Sequence, residues 1–256
     1  MKGDFPRTKI DYTTKAGHLI GLLPSEAPLF VGFQEVGTKD DIDALAASAT
    51  ARFKHPYRAL FVQGKDSATG QDVAAIFDAA AGWGIHGRPS RHSDLEKDLS
   101  KHLVVRLTNA VTAIDICVVH LRRPIGADGK EKQSQQCRAL MRWAMRHLAA
   151  QPKANLVILG DFNEAAPVKS SNSAVAVLFR TEPPMFDALS ILEDRVATHA
   201  NGRAYDRIIL SDAIAQGANN LKLESVGVQK HRHGSGHERR AYTDHFPVTA
   251  TIRLKP

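Results

Sequence analysis

The stretch Asn155–Asn163, with the sequence NLVILGDFN, joins an apolar strand to a polar turn. Its apolar run is short and continuous, which is typical of a strand buried on both faces. The residues that follow, Gly160, Asp161 and Asn163, belong to the types that favour turns. Taken alone, the stretch predicts a buried strand over Asn155 to Leu159 that ends in a tight turn.

A helix is predicted directly before this strand. The residues from Lys130 to Ala150 place four apolar side chains on one helical face, namely Leu140, Trp143, Ala144 and Leu148. Pro152 lies just beyond the end of the pattern, where a helix commonly stops.

Further apolar patterns extend over the rest of the chain. They predict helices over Thr14 to Leu23 and Asp40 to Phe53, and strands over Leu29 to Phe33, Val73 to Phe77, Leu103 to Leu107, Val111 to Val119, Tyr205 to Leu210 and Phe246 to Leu254. Polar, glycine-containing loops are predicted over Pro124 to Lys132 and Gln229 to Arg240. Because strands outnumber helices, the pattern favours packed sheets with helices outside. No shift in composition marks a linker, so we expect one domain over residues 1–256.

The composition narrows the class of partner without deciding it. The formal net charge of +7 and the sequence pI of about 9.5 favour an acidic partner such as nucleic acid, a phosphorylated substrate or an anionic lipid surface. A basic soluble protein with no such partner is the alternative.

Cys117 is expected to be a core residue and Cys137 to lie in a helix, so no disulfide framework is indicated. The sequence as given begins without the apolar segment of a signal peptide, and no apolar stretch is long enough to span a membrane, so compartment stays open.

Polar clusters recur beside the predicted strands. They are Gln34-Glu35, His120, Asp161 with Asn163, Asp206, and Asp244-His245. Each has an ordinary explanation, such as a solvent-facing residue after a strand, a turn, a local ion pair between Asp206 and Arg207, or a strand cap. Charged groups beside buried strands are costly unless they are paired or bind metal, so their recurrence predicts one shared polar site.

The order of the motifs QEV, VVHL, GDFN, YDRI and TDHFPV resembles the endonuclease/exonuclease/phosphatase family, most closely its deoxyribonuclease I-like branch. The resemblance covers Leu29 to Leu254, and GDFN and TDHFPV are its specific motifs. It implies an α/β (α+β) sandwich of two packed mixed β-sheets flanked by helices. The family's N-terminal core strand, which ends in asparagine, has no counterpart before Gln34. Two explanations are open: the sequence as given starts after this strand, or the protein lacks the strand or builds it from elsewhere.

The resemblance also implies roles for the recurring polar residues. Glu35 and Asp244 resemble metal ligands for Mg²⁺ or Mn²⁺. Asp161 and Asn163 resemble the pair that orients the attacking water and holds the phosphate or the metal. His120 resembles the histidine that contacts the scissile phosphate or acts as general acid, and Asp206 resembles the carboxylate that hydrogen-bonds His245. The types suit the chemistry, because hard oxygen ligands hold such cations and a histidine paired with a carboxylate is an oriented base or donor.

The resemblance leaves one further acidic position open. Asp72 is the nearest match to an additional acidic residue of the family. It is expected either to pair with His120 or to be an ordinary polar residue at the start of a strand.

Charge beside the motifs indicates the substrate. Arg122 and Arg123 follow His120, and Arg239 and Arg240 precede Asp244, so we expect them to bind substrate phosphates. The favoured function is metal-dependent phosphodiester hydrolysis by a nuclease of low sequence specificity, with DNA as the substrate. Two alternatives stay open: a phosphatase or phosphodiesterase of a lipid, inositol or other small ester, and an inactive binding protein with an incomplete site.

Overall fold

The computed structural model describes residues 9–64, 70–164, 173–180, 182–192, 196–230 and 243–255. The first part of the chain contains α1 (Lys9–Gly21), β1 (Phe30–Val36), α2 (Lys39–Phe53), β2 (Tyr57–Phe61) and β3 (Asp72–Asp78). The middle contains β4 (Gly84–Ser90), α3 (Ser93–Glu96), β5 (His102–Thr108), β6 (Ala113–His120), α4 (Gly126–Ala150) and β7 (Leu156–Asp161). The last part contains β8 (Met185–Asp187), β9 (Asp206–Ser211), α5 (Asp212–Ala215), β10 (Leu221–Val228) and β11 (Val248–Leu254), with 3₁₀ turns over Val175–Arg180 and Ala188–Ile191.

The strands form two facing layers. One layer is a six-stranded mixed sheet with the order β4-β5-β6-β7-β9-β8, in which β6 and β7 are parallel. The other contains the antiparallel sheet β1-β3-β2 and the antiparallel pair β10-β11. Strand β3 packs on β5 and β6, β1 packs on β6 and β7, and β11 packs on β9. Apolar residues from both layers, including Phe77, Leu103, Val118 and Leu210, fill the space between them.

Helices cover the outer faces of the two layers. Helix α4 buries Leu140, Trp143, Ala144 and Leu148 on the outside of the six-stranded sheet, the face predicted from the sequence. Helices α1 and α2 cover the outside of β1 and β3. Helix α2 begins at a capping box, in which Thr38 Oγ1 accepts from the N–H of Asp41 and Asp41 Oδ2 accepts from the N–H of Thr38. No helix among the described residues is both long and apolar enough to cross a bilayer.

The predicted fold class is confirmed, with local corrections. The loop expected over Pro124 to Lys132 is wrong, because α4 begins at Gly126 and its polar first turns face solvent. Strand β1 does not stop at Phe33 but continues to Val36. The sequence prediction missed β2, β4, β8 and β10, which are short, edge-lying or rich in polar and glycine residues.

One layer is discontinuous. Strands β1 and β11 belong to separate sheets, and within the described residues no strand lies between them. The central strand β3 is buried throughout, whereas β1 and β11 are largely half-buried. This layer therefore consists of two separately hydrogen-bonded parts, β1-β3-β2 and β10-β11.

Candidate active site

Three of the predicted site residues lie in one row across adjacent strands. His120 ends β6 and is in register with Asp161 at the end of β7, and Asp161 is in register with Asp206 at the start of β9. Register partners on neighbouring strands hold their side chains on the same face. The Nε2 atom of His120 lies 3.6 Å from Asp161 Oδ2.

The row lies at the end of the apolar space between the layers. Side chains alternate along a strand, so His120 shares the face of Val118, Asp161 that of Leu159, and Asp206 that of Ile208. These three apolar residues belong to the core between the sheets. The polar row therefore sits where this core meets solvent, and Asp161 is almost completely buried.

Glu35 reaches the same region because of a bulge in β1. Gly32 packs against Leu159 and Val118, so simple alternation would point Gln34, not Glu35, toward the facing sheet. The pairing of β1 with β3 shifts between Phe33 and Val36, and Glu35 adopts a left-handed φ of 58°. Glu35 is exposed, and its negative charge is the smallest of the effects that raise the pKa of Asp161, so its carboxylate acts on the row electrostatically. Bulges commonly redirect a side chain beside an active site.

The GDFN turn holds Asp161 through Asn163. The N–H of Asn163 donates to Asp161 Oδ1 at 2.6 Å, and its Nδ2 donates to Asp161 Oδ2 at 3.1 Å and to the carbonyl of Leu121 at 3.0 Å. Asn163 has a left-handed φ of 52°, which asparagine tolerates better than most residues. Gly160 has a φ of 138°, and a Cβ there would lie 2.0 Å from the carbonyl oxygen of Val119, so only glycine fits.

His245 is joined to the row through Asp206. Its Nδ1 lies 2.8 Å from Asp206 Oδ2, the contact that the sequence resemblance implied. The same oxygen accepts a 2.8 Å hydrogen bond from the hydroxyl of Thr198, which in turn accepts from the N–H groups of Tyr205 and Asp206. The carboxylate of Asp206 is thus oriented from two sides.

The electrostatics of the site perturb two of its groups. Burial, followed by the negative charges of Asp206 and Glu35, raises the pKa of Asp161 to about 7, against the opposing effects of His245 and the Asn163 N–H. Burial would lower the pKa of His245, but the hydrogen bond and charge of Asp206 outweigh it, and Asp161 and Asp244 add to them. The pKa of His245 is therefore raised to about 9.

Asp244 lies beside a histidine that the sequence analysis did not single out. Its Oδ2 is 3.0 Å from Nε2 of His199, and its Oδ1 is 4.0 Å from Nε2 of His245. One ligand atom from each of His199, Asp244 and His245 lies within 4.8 Å of the others.

The basic residues after His120 lie at the rim. Arg122 and Arg123 are exposed. Burial acts to raise the pKa of Tyr205. Hydrogen bonds from Asn201 and Arg203 and the charges of Arg203 and Arg123 outweigh burial, so the pKa of Tyr205 is lowered. The ring of Tyr205, on which the charge of Arg123 acts, lies 6.4 Å from that of His245. Arg239 and Arg240 lie outside the described residues.

Two further charged residues from the sequence analysis, Asp72 and Arg207, have partners elsewhere in the fold. Asp72 is buried at the start of β3, and its Oδ2 accepts a hydrogen bond from the N–H of Gly64 at 2.8 Å; its suggested pairing with His120 stays a prediction. Arg207 forms a buried ion pair with Asp187 at 2.7 Å, so its ion pair is not the local one with Asp206 that the sequence offered as an alternative.

The donor set fits a hard divalent cation. The charges of Glu35 and Asp206 act on the buried carboxyl of Asp161, and a cation would relieve this repulsion. Carboxylate oxygens are the ligands that Mg²⁺ and Mn²⁺ prefer. The three candidates from the sequence, Glu35, Asp161 and Asp244, do not all lie within 4.8 Å of one another; among the described residues, that distance is met by His199, Asp244 and His245.

Sequence reasoning missed Thr198 and His199. Neither follows an apolar strand, so the signal that identified the other residues was lacking. Both lie in a turn that pairs with the segment around Asp244: His199 forms a bridge with His245, the N–H of Ala200 donates to the Asp244 carbonyl, and that of Phe246 to the Thr198 carbonyl.

Comparison with known proteins supports the fold. No protein-family model and no curated protein sequence matches the chain. Among solved structures, an endonuclease/exonuclease/phosphatase protein from Bacteroides vulgatus has a TM-score of 0.65 at 14% identity, with 95% of this chain and 92% of that one covered. TDP2 from D. rerio, complexed with single-strand DNA product, has a TM-score of 0.62 at 14% identity, covering 96% and 92%. The human Nocturnin catalytic domain, with bound sulfate, has a TM-score of 0.62 at 16% identity, covering 89% and 81%. The chain therefore has the deoxyribonuclease I-like fold of these proteins.

Proposed function

We propose that this protein is a divalent-metal-dependent phosphodiesterase that cleaves DNA with low sequence specificity, and that residues 1–256 act as one domain. The observation that carries the proposal is the row of His120, Asp161 and Asp206 across three adjacent strands, completed by His245 on Asp206. The fold is shared with a TDP2 structure that holds a single-strand DNA product, which supports DNA as the substrate class.

The residues of the row divide the work of hydrolysis. Asp161, held by Asn163, orients the attacking water and accepts its proton. His245, with a pKa of about 9, is protonated at neutral pH and donates to the phosphate or the leaving oxygen. His120 contacts the scissile phosphate from the other side of the row.

Glu35, Asp161 and Asp244 would hold Mg²⁺ or Mn²⁺. When bound, the cation neutralises charge that develops on the phosphoryl oxygens. Arg122 and Arg123 bind the flanking phosphates electrostatically.

Nicking of supercoiled plasmid by the full chain, with Mg²⁺ or Mn²⁺ and with EDTA, tests the proposal. We expect metal-dependent nicking that Asp161→Asn and His245→Ala each reduce by about 10²–10⁴-fold. Asp115→Asn is the matched control, because this buried carboxylate pairs with Arg106 and His147 near the start of β6, away from the row. It should lower stability and leave nicking unchanged.

Two outcomes would replace the proposal. Absence of nicking by the wild-type chain, together with hydrolysis of an inositol or lipid phosphate, would favour the small-ester enzyme. Absence of hydrolysis of either substrate, with no Mn²⁺ binding at millimolar concentration, would favour a binding protein.

A further inference from the structure

The cluster of His199, Asp244 and His245 can be interpreted in two ways. Its ligand atoms are close enough for both histidines and the carboxylate to bind one cation. Alternatively, one histidine hydrogen-bonds the carboxylate and fixes it. The hydrogen bonds of His199 distinguish these arrangements.

Both nitrogens of His199 are already engaged within the chain. The N–H of Asn201 donates to His199 Nδ1 at 3.0 Å. An imidazole nitrogen that accepts a hydrogen bond carries no proton, so in the neutral ring the proton lies on Nε2. That nitrogen faces Asp244 Oδ2 at 3.0 Å and donates to it. Neither nitrogen then has a lone pair to offer a metal.

The surroundings of His199 fix the plane of its ring. Its side chain is only 15% exposed. The ring meets those of His245 and Tyr205 edge to face, at centroid distances of 4.7 and 5.3 Å. The side chain of Asp244 is 64% exposed, so His199 supplies the more rigid side of this pair.

We propose that His199 is a positioning residue that fixes the carboxylate of Asp244 for cation binding. This inference rests on the proposed function and adds one residue to its site. With Oδ2 held by His199, Oδ1 of Asp244, which lies 4.0 Å from His245 Nε2, would be the oxygen left to bind the cation. Such outer hydrogen bonds orient metal ligands, and losing one typically costs about 10–100-fold in metal affinity.

Two substitutions separate the positioning role from direct ligation. His199→Gln keeps an N–H donor near the position of Nε2 and thus the bond to Asp244. His199→Asn keeps an acceptor for the Asn201 N–H but is too short to reach Asp244. Thermal unfolding of both variants checks that the fold is retained.

The first measurement is the tautomer in the metal-free full chain. Long-range ¹H–¹⁵N correlation, with His199 assigned by its loss in His199→Gln, should show the proton on Nε2. A proton on Nδ1 overturns the proposal, whatever the enzyme does.

The second measurement is Mn²⁺ binding by electron paramagnetic resonance, with nicking as a function of Mn²⁺ beside it. We expect wild type and His199→Gln to agree within about threefold, and His199→Asn to bind Mn²⁺ about tenfold more weakly. At saturating Mn²⁺ the turnover of His199→Asn should return to near the wild-type value. Unchanged binding in His199→Asn, or equal weakening in both variants, overturns the inference alone. A wild-type chain that binds no Mn²⁺ refutes the proposed function and, with it, the inference.

Discussion

At the scale of single residues, the site concentrates charge that the folded chain tolerates poorly without a cation. Asp161 is buried beside the charges of Asp206 and Glu35, and its pKa is raised to about 7. Buried groups perturbed in this way are typical of functional sites, because the same repulsion that raises the pKa attracts a cation. The ionised carboxylate of Asp161 therefore destabilises the metal-free fold, although the proposed metal site requires it.

The first prediction concerns the metal-free stability of Asp161→Asn. The pKa of Asp161 is higher in the folded than in the unfolded chain, so the folded state binds more protons between about pH 4 and pH 7 and loses stability as pH rises through that window. Asparagine carries no charge and escapes this loss. Thermal unfolding in EDTA should show the variant more stable than wild type at pH 8, with the advantage shrinking toward pH 5. Equal melting temperatures at pH 8 would contradict the raised pKa.

The second prediction concerns the link between Asp206 and His245. The hydrogen bond and charge of Asp206 are the largest of the effects that raise the pKa of His245. In Asp206→Asn we expect this pKa to fall by about 1–2, so that His245 loses its proton at a lower pH. An NMR titration of His245 in the metal-free chain measures it. Asp43→Asn, an exposed carboxylate paired with Lys39 on α2, should leave the titration unchanged.

At the scale of secondary structure elements, the bulge in β1 decides which side chain reaches the site. Regular alternation would place Gln34 on the inner face and Glu35 on the outer one. The bulge gives Glu35 a left-handed φ of 58°, a conformation that costs residues other than glycine, asparagine and aspartate about 1–2 kcal/mol. The chain therefore holds Glu35, a proposed metal ligand, in a strained conformation.

The third prediction separates this strain from the carboxylate. Glu35→Asn and Glu35→Gln both remove the charge, and both should reduce metal-dependent nicking. Only asparagine suits the left-handed conformation, so Glu35→Asn should be more stable than Glu35→Gln by about 1 kcal/mol. Urea unfolding of the two variants gives the difference. Equal stabilities would mean that the bulge carries no strain.

At the scale of the whole molecule, the net charge of +7 and the rim beside His120 suit a polyanion. Binding to DNA through such contacts weakens as salt rises, because bound phosphates release counterions. Helix α4 carries a second pair of surface arginines, Arg142 and Arg146, which form ion pairs with Asp98 and Asp94.

The fourth prediction compares these two pairs of arginines. Replacing Arg122 and Arg123 together by alanine should weaken DNA binding and reduce the slope of log affinity against log salt by up to about 2. Replacing Arg142 and Arg146 removes the same net charge and should change the slope little. Fluorescence anisotropy with duplex DNA at several salt concentrations compares the variants. A similar loss in both double variants would show that net charge, not the rim, governs binding.

The elements that the sequence did not predict share one property, a weak apolar pattern. Strands β4 and β10 are rich in polar and glycine residues, and β2 lies at a sheet edge, so none of them gives a long apolar signal. The start of α4 is polar because most of its first residues face solvent, and its buried positions there, Gly129 and Gln133, give no apolar stripe from which a helix could be predicted.

The sequence by itself determined the sheet sandwich, the covering helices and most of the residues of the candidate site. Apolar periodicity depends on local burial, and polar residues at strand ends mark where a sheet meets solvent. Only the tertiary structure decided that a bulge redirects Glu35, that Thr198 hydrogen-bonds Asp206 and that His199 contacts Asp244. These contacts join residues far apart in the chain, and their geometry comes from strand register and turn pairing, which no local pattern records.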